Sequence, residues 1–496
     1  MMVVAYGHRV TGRRRLILAA VFALILAAAG GFLLLRADRA VTTTAVRVDG
    51  VPMLEVVADV PQTGAGVVIA HGFADSARLM RGFADTLARR GYVVVVPDLA
   101  GHGANPNRLS NDDIDRELDA AVSYLGRVHG LAPKRVALLG HSMGAGAVAR
   151  YAVGHPDIPT TVVLSLPSAD VVTAAAPQHL LLLVGQWEFA GFHAAMTQAM
   201  DGAVAVGAES RRAVTIPATE HISILFSAQA HQAAADWIDA TLAPAPATEA
   251  PRPVGRLAPA GLLLAGLLLG FLPLAAVLLP RSAAGPAARP RPRPGVLLIT
   301  TAAGCALAVA AAQWLPTSAL PLAVGGYTAG FFLLVGAGLC GVLLTTWATP
   351  RPELPGYGAR LIGAAVLLAG YAMVTIAVPL HLGFTHAVPV GPRWWLLPIV
   401  AAAAYILLLG AELTSLGRSR WLAIILAAVL VSLVTAAIAG TGPGFILLVA
   451  PLLAALFAWH LGWSAWLRRR SAPAWLIALV GAIVVAWPIA TTLALT

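Results

Sequence analysis

The feature that most constrains this chain is the scarcity of charge in its second half. Residues 257–496 carry fourteen charged side chains, twelve arginines and two glutamates, spread among eight long apolar segments. Each segment has roughly the 20 residues that a helix needs to cross a bilayer. We therefore predict an all-α transmembrane bundle over 257–496. Its predicted spans are 258–280, 295–315, 321–348, 361–381, 394–415, 421–439, 443–466 and 474–495.

The first 256 residues have a different composition. They contain 21 basic and 21 acidic side chains, so the whole formal net charge of +10 belongs to the second half. The chain as a whole is 58% hydrophobic and 11% charged, whereas a soluble domain usually has about 25% charged residues. These values exclude a single water-soluble domain and a disordered chain. Because the basic excess lies between apolar spans, it predicts membrane-loop arginines and no nucleic-acid partner.

A further apolar run near the start predicts a ninth span. Residues 16–35 follow a cluster of arginines and end in Leu-Leu-Leu-Arg36. A cleaved secretory signal is the alternative, but its apolar core is usually about 7–15 residues long and precedes a small-residue cleavage site. We predict an Arg-rich cytoplasmic N-terminus over 1–15 and an uncleaved transmembrane anchor over 16–36.

Loop arginines predict the orientation of the spans. If nine spans alternate from a cytoplasmic N-terminus, eleven loop arginines lie on the cytoplasmic side. In the short loops on the outer side, Arg393 is the single arginine. Positive residues concentrate in cytoplasmic loops, so we predict a multi-pass protein of the plasma membrane with residues 41–256 outside the cytoplasm. The arginines expected in cytoplasmic loops are at positions 281, 289, 291, 293, 351, 360, 418, 420, 468, 469 and 470.

Residues 41–242 alternate short apolar runs with amphipathic stretches, and a Pro/Ala linker over 243–256 follows them. This alternation is typical of β–α units, with a mostly parallel sheet and helices on both faces. The predicted strands are 66–70, 93–97, 135–139, 161–166, 180–184 and 213–216. The predicted helices are 77–90, 112–128, 143–153, 189–200 and 222–242.

One motif between a predicted strand and a predicted helix indicates catalysis. Residues 140–144 read Gly-His-Ser-Met-Gly, and G-x-S-x-G in a strand–turn–helix context places its serine on a strained elbow. An ordinary Gly-rich turn is the alternative. We predict that Ser142 is a nucleophile, which requires a base oriented by a carboxylate.

The sequence resembles the α/β-hydrolase superfamily over about 41–242. Residues 67–73, Val-Val-Ile-Ala-His-Gly-Phe, look like the strand and HG-x turn of that family, and Asp98 to Gly103 look like its D-x-x-G-H-G loop. Among members, the chain looks most like uncapped serine hydrolases of the dienelactone-hydrolase or serine-aminopeptidase-like groups. The resemblance implies an oxyanion hole formed by the backbone amides of Met143 and Phe73.

The resemblance also implies the order of the remaining catalytic groups, which is serine, acid, histidine. Glu188 stands just after the predicted strand 180–184, where the acid is expected, and Asp170 after the preceding strand is the second choice. His221 lies in the loop after the last predicted strand and is the expected general base. Only 46 positions separate Ser142 from Glu188, which leaves no room for a helical cap and predicts an open site.

Together these features predict a membrane-bound serine hydrolase that cleaves ester or lipid-like small molecules through an acyl-enzyme, without cofactor or metal. A peptidase or acyltransferase that uses the same triad is the nearest alternative. Two others remain: a translocator that uses residues such as Glu412 within the spans, and a sensor with an inactive hydrolase domain. The sequence indicates the lipid bilayer as a partner and identifies no protein partner.

Overall fold

The structure is a computed structural model. The chain forms two compact units. The helical unit comprises Met1–Gly30, Gly261–Pro379 and Gly391–Leu493, and the α/β unit comprises Gly31–Ala260, Leu380–Val390 and Ala494–Thr496. The residues described are 2–37, 39, 41–201, 210–242, 250, 253, 255–279, 294–314, 319–346 and 358–496.

An eight-stranded sheet forms the centre of the α/β unit, with the order β1-β2-β4-β3-β5-β6-β7-β8. From β4 onwards in this order all neighbours are parallel, while β1 and β2 are antiparallel additions at one edge. This confirms the predicted mostly parallel sheet. The strands are β1 (Thr42–Val48), β2 (Val51–Val57), β3 (Gly66–Ala70), β4 (Val93–Pro97), β5 (Val136–His141), β6 (Thr160–Leu164), β7 (His179–Gly185) and β8 (Arg211–Ile216).

The edge hairpin of β1 and β2 is absent from the predicted strands. Its turn uses Asp49 and Gly50, both at positive φ, and pairs Val48 with Val51. Most of β1 is exposed or half-buried, and it carries Thr and Arg side chains. An edge strand of this kind has no apolar run to mark it, so the hydropathy pattern does not detect it.

Helices cover both faces of the sheet. Side chains of β3 alternate between two buried cores, with Ile69 packing in the core that contains Phe83 and Val68 in the core that contains Leu118. The sheet is therefore buried on both sides, which explains its nearly continuous Val, Ile and Leu content. The helices are α2 (Arg81–Ala88), α3 (Asn111–His129), α4 (Met143–Gly154), α5 (Ala190–Asp201) and α6 (Ala228–Leu242).

Two of the predicted helices start later than the sequence pattern suggests. Residues 77–80 precede α2, because the Ala77 amide donates to the Asp98 carboxylate (2.8 Å) and so belongs to a loop. In the predicted helix 222–242, a short 3-10 turn, Ser223–Phe226, precedes α6. The Glu220 carboxylate accepts the amides of Ile222 and Ser223 and fixes that turn.

Outside the α/β unit, the residues that the structure describes form nine apolar helices, which confirms the predicted helical region. Over the residues described, eight of them are long and apolar enough to cross a membrane, and α8 is a shorter apolar helix over Leu297–Ala312. The helices are α1 (Met2–Ala37), α7 (Leu257–Leu278), α8 (Pro294–Ala312), α9 (Gly325–Thr346), α10 (Ala359–Gly383), α11 (Arg393–Thr414), α12 (Ser419–Ile438), α13 (Ile446–Arg468) and α14 (Ala474–Thr492).

Small residues bring α9 and α11 into close contact inside the helical unit. A Cβ at Gly336 would lie 2.5 Å from the amide nitrogen of Leu407, and one at Gly410 would lie 2.9 Å from the carbonyl oxygen of Gly336. Glycine at both positions lets the two backbones touch, as is common between membrane helices.

Two further segments belong to the α/β unit although they come from the second half of the chain. Residues 380–390 comprise the end of α10 and most of the loop to α11, and residues 494–496 follow α14. Leu495 forms two backbone hydrogen bonds. Its amide donates to the carbonyl of Gly101 (2.9 Å), and its carbonyl accepts the amide of Leu109 (2.7 Å). The unit thus extends beyond the domain predicted over 41–242. Much of the predicted 243–256 linker lies outside the described residues.

Candidate active site

Ser142 occupies a strained turn between β5 and α4. Its backbone has φ 52° and ψ −116°, a conformation that residues other than glycine rarely adopt. Two glycines allow the turn, since a Cβ at Gly140 would lie 2.3 Å from the carbonyl oxygen of Gly144, and one at Gly144 would lie 2.3 Å from that of Ala70. The sequence thus forms the sharp strand–turn–helix that the G-x-S-x-G motif predicts.

Ser142, His221 and Glu188 form a continuous hydrogen-bonded chain. Ser142 Oγ lies 3.0 Å from His221 Nε2, and His221 Nδ1 lies 2.5 Å from Glu188 Oε1. With the proton assigned to Nδ1, the imidazole donates to the carboxylate and Nε2 is free to accept the serine proton. The structure therefore brings together the three side chains that the sequence singled out, in a geometry that suits nucleophile activation.

Backbone hydrogen bonds hold the Glu188 loop against the His221 loop. The amide of Trp187 donates to Thr219, and the amide of Gln186 donates to Ile216, both at 2.9 Å. A Cβ at Gly185 would lie 2.8 Å from the carbonyl oxygen of Thr219, so glycine at this position permits the close approach. The glutamate reaches the histidine because these two loops are joined.

Asp170, the second choice for the acid, lies elsewhere. It is exposed, in a three-residue 3-10 turn, and its carboxylate accepts the Ser168 hydroxyl at 2.9 Å. Between Ser142 and Glu188 the chain forms α4, β6, that turn and β7. All of this stretch is described, and no cap domain is inserted in it.

The two predicted oxyanion donors belong to segments beside Ser142. Met143 begins α4, and the first amides of a helix have no acceptor within it. Gly72, which precedes Phe73, approaches the nucleophile so closely that a Cβ there would lie 3.4 Å from Ser142 Cβ. Phe73 packs edge-on against His102 at 5.4 Å. The HG-x turn and the start of α4 thus border the same serine.

Buried histidines connect the motif loops. His71 Nε2 accepts the amide of Leu99 (3.0 Å) and so joins the HG-x turn to the D-x-x-G-H-G loop. His141 Nε2 donates to the carbonyl of His221 (2.9 Å). Burial lowers the pKa of His71 to about 4 and that of His141 to about 3. Both rings are therefore neutral at pH 7, and they act as connectors between loops.

A carboxyl that the sequence analysis did not single out supports the D-x-x-G-H-G loop. Glu117 on α3 accepts the amide of Ala100 (2.7 Å) and the side-chain amide of Asn105 (2.6 Å). Burial raises its pKa to about 7. Its position within an otherwise amphipathic helix has no local sequence signal.

Exposed apolar side chains flank the acid and the base. Trp187 is 66% exposed and Phe189 52% exposed, on either side of Glu188, and Ile222 after His221 is 37% exposed. The Phe192 ring centroid lies 4.7 Å from that of His221. We call Trp187, Phe189, Phe192 and Ile222 the apolar rim. The apolar rim is absent from the residues predicted from the sequence, although its position next to the predicted acid and base was an available signal.

The residues tied to other hypotheses are placed differently. In the part of the chain that the structure describes, no group of three or more His, Cys, Asp or Glu residues could hold a metal ion. Glu412 is buried in the helical unit, where its carboxylate pairs with Arg468 at 2.6 Å and accepts the Ser464 hydroxyl.

Residues 61–211 match the family model of the serine aminopeptidases, S33. An uncharacterized protein of Mycobacterium tuberculosis is 27% identical over 180 residues, which cover 32% of this chain and 63% of that protein. A monoacylglycerol lipase of Mycolicibacterium smegmatis is 31% identical over 115 residues, which cover 22% of this chain and 40% of the lipase. The chain therefore spans less than two thirds of the length of these curated relatives.

Among solved structures, a dienelactone hydrolase from Anabaena variabilis is 20% identical and has a TM-score of 0.33, covering 41% of this chain and 99% of that one. The sheet order, the elbow and the family match over residues 61–211 show that the α/β unit has the α/β-hydrolase fold.

Proposed function

We propose that this protein is a membrane-bound serine hydrolase that cleaves carboxylic esters. The hydrogen-bonded chain from Ser142 through His221 to Glu188, at 3.0 and 2.5 Å, carries the proposal. In the proposed reaction His221 removes the serine proton as Oγ attacks the ester carbonyl, and it then protonates the leaving alcohol. Glu188 holds the imidazole and stabilises its charged form. Water, activated by the same histidine, then releases the acid from the acyl-enzyme.

The backbone amides of Met143 and Phe73 are the proposed oxyanion donors. Their hydrogen bonds become stronger as negative charge develops on the carbonyl oxygen, and one such donor contributes roughly 3–4 kcal/mol of transition-state stabilisation in a well-studied protease. The start of α4 supports this role for Met143, because its partial positive charge favours an anion. The approach of the HG-x turn to Ser142 supports it for Phe73.

The surroundings of the site favour esters with an apolar acyl chain. The apolar rim lies next to the acid and the base, and an acyl chain of the substrate would cover its exposed surface. The relative named monoacylglycerol lipase supports the same substrate class. A peptidase is the second candidate, favoured by the description of the matched family.

Chain connectivity supports nine membrane crossings. Residues 380–390 belong to the α/β unit, and four helices, α7 to α10, separate them from its main body. Only an even number of crossings returns a chain to the same side, so α8 crosses together with the other three. Its 19 residues rise about 28 Å, close to the roughly 30 Å of a hydrocarbon core. Four more helices, α11 to α14, precede residues 494–496, which also return to this unit.

The loop arginines support one of the two possible orientations of these crossings in the membrane. With nine crossings, eleven of the twelve arginines in the second half fall on one side, which is expected to be cytoplasmic. The α/β unit then lies outside the cytoplasm, and the plasma membrane is the proposed location. The proposed partners are the lipid bilayer and an ester-bearing small molecule, with no nucleic acid.

Ester hydrolysis by purified full-length protein in detergent tests this proposal. We expect turnover of p-nitrophenyl esters and of monoacylglycerol, and a loss of at least about 1,000-fold in kcat for Ser142→Ala. Ser123→Ala, at an exposed position on α3, is the matched control and should keep wild-type activity. Equal turnover by Ser142→Ala would contradict the proposal, and hydrolysis of aminoacyl anilides without esters would favour the peptidase.

A further inference from the structure

A segment between two apolar helices lies against the loop that follows the HG-x turn. We call this segment, Leu380–Val390, the strap; it comprises the last four residues of α10 and most of the loop to α11, and it belongs to the α/β unit. The Thr385 hydroxyl lies 2.9 Å from that of Ser76, and the amide of His386 donates to Ser76 Oγ at 2.9 Å. Two successive strap residues therefore bind one serine, three positions after Phe73.

The strap is an integral part of the α/β unit. Thr385 is 2% exposed, Ser76 and Ala387 are fully buried, and Phe384 packs against the core that contains Ile69. A surface loop that merely passed over the unit would leave these side chains in water. Removing the strap would expose both apolar surface and the Ser76 hydroxyl.

A buried carboxyl extends these contacts towards the HG-x turn. Asp75 Oδ1 accepts the amide of Ser76 at 2.6 Å. Burial, the largest cause, raises the pKa of Asp75 well above its ordinary value, and the hydrogen bond from the Ser76 amide partly opposes this. Asp75 thus binds the same serine that the strap binds, and it lies two positions after Phe73.

The HG-x turn needs support of this kind. Ala74, between Phe73 and Asp75, has φ 62°, a left-handed conformation that is unfavourable for alanine. Such a conformation persists only where the surrounding structure enforces it. The contacts among Thr385, Ser76 and Asp75 supply that constraint immediately after the turn.

We propose that the strap positions the HG-x turn for catalysis, with Thr385 and Ser76 as positioning residues for the Phe73 amide. The inference rests on the proposed ester hydrolysis. An oxyanion donor accelerates the reaction only when it points to where the negative charge develops. Loss of the Thr385 hydroxyl therefore lowers kcat, while the binding of the acyl chain at the apolar rim is unaffected.

Steady-state ester kinetics of Thr385→Val in the full-length protein test the inference. Valine keeps the side-chain volume and removes the hydroxyl, and we expect kcat to fall by about 10-fold or more with little change in KM. Thr385→Ser restores the hydroxyl and should recover most of the wild-type kcat. Thr86→Val is the matched control, because it removes a buried hydroxyl that bonds to His231 (2.8 Å) away from the site. All rates are expressed per mole of monodisperse protein.

Wild-type kcat in Thr385→Val, or an equal fall in Thr86→Val, would overturn the inference while leaving the proposed function intact. Failure of Thr385→Ser to recover kcat would also count against it. A wild-type protein that hydrolyses no ester would overturn the proposed function and the inference together. The two failures are therefore distinguishable, because only the second leaves the wild type inactive.

Discussion

The carboxylate that meets His221 belongs to a glutamate, which has one methylene group more than aspartate. Two backbone hydrogen bonds, from Gln186 and Trp187, hold its loop beside the histidine loop, and Glu188 reaches Nδ1 at 2.5 Å. Asp170 is the shorter acid and follows the preceding strand, but its carboxylate is bound by Ser168. The shape of the loops therefore determines which acid contacts the base.

Substitution of these two acids separates their roles. Glu188→Gln should lower kcat/KM by about 10³- to 10⁴-fold, because an amide does not hold the imidazole in the required tautomer. Asp170→Asn makes the same chemical change at an exposed site and should keep activity close to wild type. Ester kinetics on both variants check this, and the reverse order of effects would assign the triad acid to Asp170.

At the level of helices and strands, the elbow depends on how closely α4 approaches β3. The carbonyl of Ala70, at the end of β3, is the atom that a Cβ at Gly144 would meet. The far end of the same helix is open, since a Cβ at Gly154 would meet nothing within 4 Å. One helix thus contains a glycine that the site requires and another that it does not.

These two glycines provide a matched pair. Gly144→Ala should displace the start of α4, destabilise the protein by roughly 1–3 kcal/mol and reduce ester hydrolysis, because Met143 moves with the helix. Gly154→Ala should keep activity and leave stability unchanged or raise it by up to about 1 kcal/mol. Thermal unfolding in detergent, with activity on the same samples, gives both readouts. Equal behaviour of the two variants would contradict the account of the elbow.

Local sequence patterns predict the parallel strands and the elbow, because each has a signature within a few residues. Val67 to Ala70 form a continuous apolar run, and Gly140 to Gly144 form a motif in its expected context. The β1 strand lacks such a signature, since its exposed side chains have no apolar period. The strap lacks one for another reason, because Ser76 and Thr385 are 309 positions apart and only the tertiary fold brings them together.

For the whole molecule, the strap and the last residues support the proposed number of membrane crossings. Leu380–Val390 and Ala494–Thr496 both belong to the α/β unit, and four apolar helices separate each of them from the part of that unit that comes before it in the chain. If the other three helices of its group cross the bilayer, an even number of crossings requires that α8 cross as well, although it is the shorter apolar helix. Contacts within the α/β unit thus constrain topology where hydropathy alone is least decisive.

Cysteine accessibility tests this topology. In a protein whose Cys305 and Cys340 are replaced by alanine, Val388→Cys in the strap should react with a membrane-impermeant maleimide from outside. Arg420→Cys, at an exposed position beginning α12, should react only after the membrane is opened. Reaction of both from the same side would show that α11 does not cross the bilayer between them, and would contradict nine crossings.

The central claim is that Ser142 is an activated nucleophile that faces away from the cytoplasm. The most direct measurement is labelling with a membrane-impermeant fluorophosphonate, in right-side-out and inside-out membrane vesicles, of the wild type and Ser142→Ala. The account predicts labelling of the wild type in right-side-out vesicles and none of Ser142→Ala in either preparation. Labelling of both proteins, or of neither when folded protein is present, would contradict an activated Ser142. Labelling of the wild type only in inside-out vesicles would contradict the orientation.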